Sequence, residues 1–161
     1  MLYLSIVRPL ALYGPETWTL LPSFEEVVDV QEMQWLRQYA NISLLKHHLT
    51  NGEVRRRAHC PVPISEACRQ ARLRYYGHLC PLPRSRIPLI ALLKDAPGPR
   101  KQGHSHASWL ELLKANADTR GLTLSDLQRL APEREAYRQL VIYGVRKDGH
   151  PTQRRLEKPD L

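Results

Sequence analysis

Ser65-Glu66-Ala67-Cys68-Arg69-Gln70-Ala71-Arg72-Leu73-Arg74-Tyr75-Tyr76-Gly77-His78-Leu79 decides the fold class. With Ile64 in front, Ile64, Cys68, Ala71, Tyr75 and Leu79 recur every three or four residues. That spacing puts them on one face of an α-helix, and it is not the alternation of a strand. Ser65 reads as the residue that caps the helix. Arg69 and Arg72 fall off the apolar stripe and Arg74 on a neighbouring edge, so a basic face is expected to meet water.

The same logic extends outward in both directions. Upstream, Thr50 and Glu53 open a short helix carrying Arg55, Arg56 and Arg57, halted by Pro61 and Pro63. Ser23-Phe24-Glu25-Glu26 reads as a capping box. The helix it opens is expected to run to about Ala40, with Phe24, Val27, Val30, Met33 or Leu36, and Ala40 inward, and Asn41 as a left-handed stop. Leu2 to Tyr13 reads as a helix apolar nearly all round, closed by Gly14-Pro15. Downstream, Ile87 to Lys94 is a short apolar helix with Pro88 near its start. Asp95 to Ser108 is a loop. Ser108-Trp109-Leu110-Glu111 is a second capping box, opening a helix that ends before Gly121. Thr123 or Ser125 starts the next helix, and Pro132 begins a last one stopped at Gly144. The reading is all-α: short helices in an irregular bundle with Pro/Gly-rich loops. Residues 1–20 are taken as a separate first helix, 21–145 as a helical module, and 146–161, polar and without periodicity, as a disordered tail.

Charge is uneven along the chain. The net charge is +8, with three Arg/Lys against five Asp/Glu in residues 1–50, ten against three in 51–100, and eleven against eight in 101–161. A basic central third fits a surface that meets phosphate. Arg55, Arg56, Arg57, Arg69, Arg72 and Arg74 are the residues expected to contact RNA or DNA. The three cysteines, Cys60, Cys68 and Cys80, are an odd count, against a secreted disulfide framework. The apolar start is interrupted at Arg8 and Pro9, too early for a signal peptide or a membrane span. An intracellular location, nuclear or cytoplasmic, with no membrane partner, is expected. The exposed first helix is expected to drive self-association.

Several motifs, in order, resemble the region that follows the polymerase core in reverse transcriptases of non-long-terminal-repeat (LINE-type) retrotransposons. Val7-Arg8-Pro9-Leu10-Ala11-Leu12-Tyr13-Gly14-Pro15-Glu16-Thr17-Trp18 looks like the signature at the end of the thumb. Glu32-Met33-Gln34-Trp35-Leu36-Arg37 is similar to a helix ending in Leu-Arg, and Asn51, Glu53, Arg55 and Arg56 to an Asn-Glu-x-x-Arg element. Arg72-Leu73-Arg74-Tyr75-Tyr76-Gly77-His78 resembles an Arg-Leu-Arg-Trp-x-Gly-His block, with Tyr75 in the Trp place. Gly121-Leu122-Thr123-Leu124 and Ala131-Pro132-Glu133-Arg134-Glu135-Ala136-Tyr137-Arg138 look like the closing helices. The resemblance covers about residues 4–141. There are departures. Gly103-His104-Ser105-His106 stands where the family has Gly-Arg-Pro-Arg, Asn116 replaces an acidic residue, and Pro81 follows the Gly-His block where a basic residue is usual. The resemblance implies a parent with polymerase and endonuclease domains, of which this chain would be a decayed or repurposed C-terminal piece.

Polymerase chemistry needs paired aspartates around two magnesium ions. Asp29, Asp95, Asp118, Asp126, Asp148 and Asp160 are scattered and never adjacent. Cys60, Cys68, His78 and Cys80 lack the tight Cys-x₂₋₄-Cys pairs of a structural zinc site, so buried free thiols are the reading. Gly103-His104-Ser105-His106-Ala107 imitates a hydrolase nucleophile elbow without the strand that motif needs before it. His78 reads as a core or capping residue, and Trp18, Trp35 and Trp109 as core anchors. No enzyme activity, metal or cofactor is expected. A non-catalytic nucleic-acid-binding fragment is the leading reading. A helical protein-interaction module, or a translated transposon remnant without selected function, is the alternative, and a salt titration of nucleic-acid binding separates them.

Overall fold

The computed structural model describes residues 2–43, 48–93 and 108–144. Among them every regular element is helical, as the spacing of apolar residues predicts. A π-helical stretch, Tyr3–Val7, runs into α1 (Arg8–Ala11). Then follow α2 (Pro22–Tyr39), α3 (Asn51–Arg57), α4 (Ile64–Leu79), α5 (Ile87–Leu93), α6 (Trp109–Asp118), α7 (Leu124–Leu130) and α8 (Arg134–Tyr143). The chain divides into two compact units, Met1–Ala71 and Arg72–Leu161, with the division inside α4. The loop from Asp95 to Ala107, the nucleophile-elbow imitation within it and the 146–161 tail lie outside the described residues.

Unit 1 is built on α2. Tyr3, Met33, Leu36, Ile42, Val54, Ala58 and Cys60 form its core. Tyr3 sets its ring near Trp35 and Tyr39, with centroids 6.5 and 6.1 Å away. That contact ties the first helix into the unit. Gly14 takes φ +57° and Asn41 φ +53°, so both stops read from sequence are left-handed.

Two expectations for α2 are corrected. The helix starts at Pro22, with no side-chain cap at Leu21. Proline suits the first helical position because its φ is already helical and its missing N–H would have had no partner there. Ser23 is therefore inside the helix and cannot cap it. The buried face is also different. Glu32, Met33 and Leu36 are buried, while Phe24, Val27 and Val30 are 59%, 64% and 54% exposed. Leu36, Glu32, Asp29 and Glu25 repeat at three and four residues and share one side of the helix, and Val27 lies opposite.

The start of α4 differs in the same way. Ser65 does not cap it, because the helix already begins at Ile64. Two carboxylates of α2 take over. Glu32 Oε2 accepts from the Ile64 N–H at 3.1 Å. Asp29 accepts from the Ser65 N–H at 3.0 Å and from the Ser65 hydroxyl at 2.6 Å. Negative charge at a helix start is stabilising because the free N–H groups and the helix dipole both point there.

Unit 2 packs Leu73, Tyr76, Leu113, Ala117, Leu122, Leu127, Ala131, Tyr137, Leu140 and Val141 together. Here local signals carry the structure. Ser108 and Glu111 close a full capping box on α6, and Thr123 and Asp126 close another on α7. The last helix starts at Arg134, two residues after the expected Pro132, and ends at Gly144 as expected.

Candidate nucleic-acid interface

The acidic stripe of α2 determines which arginines face water. Glu32, fully buried, accepts from the Tyr3 hydroxyl at 3.0 Å and from Arg55 Nη1 at 2.8 Å. It also pairs with Arg8, whose other amine donates to the Val62 carbonyl at 2.6 Å. Burial, and then the negative charge of Glu32, push the Tyr3 phenol well above its ordinary range. Burial also raises the Cys60 thiol, against the lowering pull of Arg8.

Arg55 is therefore an internal residue, held against Glu32. Arg69 is bound in the same manner: its Nε donates to Glu25 Oε1 at 3.1 Å, and Nη2 reaches the second oxygen of that carboxylate. Glu66 adds a third contact at 3.5 Å. The hydrogen bond from Glu25 raises the Arg69 pKa above its ordinary value, so the charge is permanent but engaged. Arg72 is 1% exposed. The expectation that Arg69 and Arg72 turn together toward solvent is corrected: the helix buries a broader sector than its apolar stripe, including Ser65, Gln70 and Arg72.

Arg56 and Arg57 do face water, with side chains 77% and 53% exposed. Both share the Glu53 carboxylate, Arg57 Nε at 3.1 Å. Their hydrogen bonds, that of Arg56 first, lower the Glu53 pKa. Thr50 caps α3 by accepting from the Glu53 N–H at 3.3 Å, as read, but the Glu53 side chain turns to the arginines and completes no box. Arg74 is exposed on α4.

Arg84 and Arg86, in the turn after α4, are exposed and were missed by sequence. A signal existed: from Ala67 to Leu93 there is no Asp or Glu at all. His78, expected in a core or capping role, is exposed on the same helix, four residues after Arg74.

The tryptophans are half-buried. Trp35 packs against the core of unit 1, and Trp109 meets Tyr75 edge-on at 6.2 Å. Cys60 and Cys68 are buried free thiols and Cys80 is half-buried. Among the described residues no group of three His, Cys, Asp or Glu is placed to hold a metal ion. None of the described helices is long and apolar enough to cross a membrane. A cleft of about 520 Å³ between α2 and α3 mixes Glu26 and Asp29 with Arg37 and Arg55, so it offers phosphate no uniformly positive grip. No protein-family model, curated protein or solved structure matches the chain.

Proposed function

We propose that this chain is a non-catalytic nucleic-acid-binding piece of a retrotransposon-type reverse transcriptase, and that unit 2 supplies the binding surface. One observation carries the reading. Met1–Ala71 contains seven Arg/Lys and seven Asp/Glu and is neutral, while Arg72–Leu161 contains seventeen against nine, the whole of the +8. The arginines of unit 1 mostly answer carboxylates of unit 1. In unit 2 the exposed Arg74, Arg84 and Arg86 lie in the acid-free stretch. Arginine suits phosphate because its planar fork pairs two oxygens at once. The reading also rests on the ordered motifs that resemble the LINE-type family. Arg56 and Arg57 add a second, weaker patch that competes with Glu53.

The test is affinity for a random-sequence duplex and for single-stranded RNA across salt concentration. Three phosphate contacts on a duplex give a slope of log K against log salt of about −3. Replacing Arg84 and Arg86 together by alanine should flatten it by about 2, with little change of sequence preference. An unflattened slope, or no binding at low salt, overturns the reading. It would leave the interaction-module reading in front, which rests on Leu2 and Leu10, each 71% exposed on the first helix.

A further inference from the structure

The turn between α4 and α5 presents a serine among its arginines. The Arg86 N–H donates to the Pro83 carbonyl at 2.9 Å, which places Arg84 and Ser85 at the two central positions of a four-residue turn. Arg84, Ser85, Arg86, Ile87 and Pro88 are all exposed. Among the described residues no carboxylate holds either arginine, and the Ser85 hydroxyl has no hydrogen-bond partner. Ser85 is also the only serine or threonine from Ala67 to Leu93, the stretch without Asp or Glu.

We propose that Ser85 is a phosphorylation site for an arginine-directed serine/threonine kinase, and that the phosphate turns off nucleic-acid binding by this turn. The proposal rests on the binding surface assigned above to unit 2. In the modification the Ser85 oxygen bonds to the γ-phosphorus of a nucleoside triphosphate as the bond to the β-phosphate oxygen breaks. The diphosphate leaves, and the hydroxyl proton passes to the catalytic aspartate of the kinase. Access favours Ser85, because an exposed turn with few buried contacts opens locally far more easily than a packed helix. Arginine on both sides supplies the positive charge that an acidic substrate cleft selects. A phosphoserine carries about −1.5 to −2 charges at neutral pH and three acceptor oxygens. Neighbouring Cα atoms are about 3.8 Å apart, so both flanking guanidinium groups reach it. The phosphate then claims Arg84 and Arg86 as Glu25 claims Arg69, and cancels most of their charge. Nothing acidic within the stretch does this in the unmodified chain.

The test incubates the full chain with ATP and a kinase that phosphorylates serine beside arginine, locates the phosphate by mass spectrometry, and measures the salt slope of both forms. Phosphate is expected at Ser85, and it should flatten log K against log salt by about 2 on the same duplex. Ser85→Glu, with one charge, should flatten it by about 1. Ser125→Glu, at an exposed position on α7, should leave it unchanged. Circular dichroism should be the same for every form. Replacing Arg84 and Arg86 together by alanine should slow the modification and make the remaining binding indifferent to it. A chain that takes no phosphate at Ser85 overturns the proposal. So does a phosphorylated chain whose slope matches that of an unmodified chain that binds, and in that case the proposed function stands. No binding by the unmodified chain overturns the proposed function, and the switch with it.

Discussion

The Tyr137 ring lies so close to Gly77 that a β-carbon there would sit 2.4 Å from it. The Tyr137 hydroxyl donates to the Leu73 carbonyl, one helical turn earlier on α4, at 2.6 Å. The ring is buried and cannot swing aside, so the absence of a side chain at position 77 is what lets α8 approach α4.

Gly77→Ala should therefore destabilise unit 2, although alanine is the better helix former by about 1 kcal/mol. Overpacking costs about 1–3 kcal/mol and should win. Gly52 on α3 is the control: nothing lies within 4 Å of a β-carbon there. Gly52→Ala should be neutral or stabilising by up to about 1 kcal/mol. Urea unfolding midpoints of the two variants should move in opposite directions.

Removing Glu32 should cost unit 1 more than any other single surface or core charge. Arg8, Arg55, Tyr3 and the Ile64 amide all use its carboxylate. Breaking a buried pair leaves its partners uncompensated and costs about 3–5 kcal/mol. Glu32→Gln keeps the shape and loses the charge, and should still unfold at clearly lower denaturant. Glu26→Gln, on an exposed position, should leave the midpoint unchanged within error.

Burial raises the Cys60 and Cys80 thiols. A group whose folded pKa is raised contributes stability that is complete below its unfolded pKa, about 8.5 for cysteine, and lost as pH climbs toward the folded value. Stability should therefore fall from about pH 8.5 upward. Replacing Cys60 and Cys80 by serine should reduce the slope of that fall. A thiol reagent at pH 8 should react at once with all three cysteines in denaturant and only slowly with Cys60 and Cys68 in the native chain.

What could be read from sequence was what is settled locally. The box at Ser108, a helix start at Thr123 or Ser125, the stop at Gly144 and the left-handed Asn41 each depend on residues within one turn. The face of α2 does not. Periodicity of apolar residues pointed Phe24, Val27 and Val30 inward, yet Glu25, Asp29, Glu32 and Leu36 make an equally regular row. Only partners far along the chain, Arg8, Arg55, Ser65 and Arg69, decide which row is buried. The arginine patch follows the same logic: Arg55 and Arg69 are held by Glu32 and Glu25 on α2, far along the chain, while Arg56 and Arg57 share Glu53 on their own helix. Counting acidic residues at helical spacing beside the apolar ones would have raised the alternative.

The arginines on α4 and in the turn that follows should sort by stability before they sort by binding. Arg72 is almost fully buried, so Arg72→Ala opens a cavity where a long side chain packed. Losses of that kind run about 2–4 kcal/mol. Arg69 is partly exposed, and its pairs with Glu25 and Glu66 are screened by water, so Arg69→Ala should cost only about 1 kcal/mol. Arg74, Arg84 and Arg86 are exposed, and alanine at each should leave the unfolding midpoint within about 0.5 kcal/mol of the parent. Affinity for RNA or duplex DNA, measured below the unfolding transition of every variant, should run the other way. Arg84→Ala and Arg86→Ala weaken it at low salt, and Arg69→Ala leaves it nearly intact. Tight binding that is lost in Arg69→Ala with its fold preserved would return the contact surface to the first half of α4 and remove it from the turn.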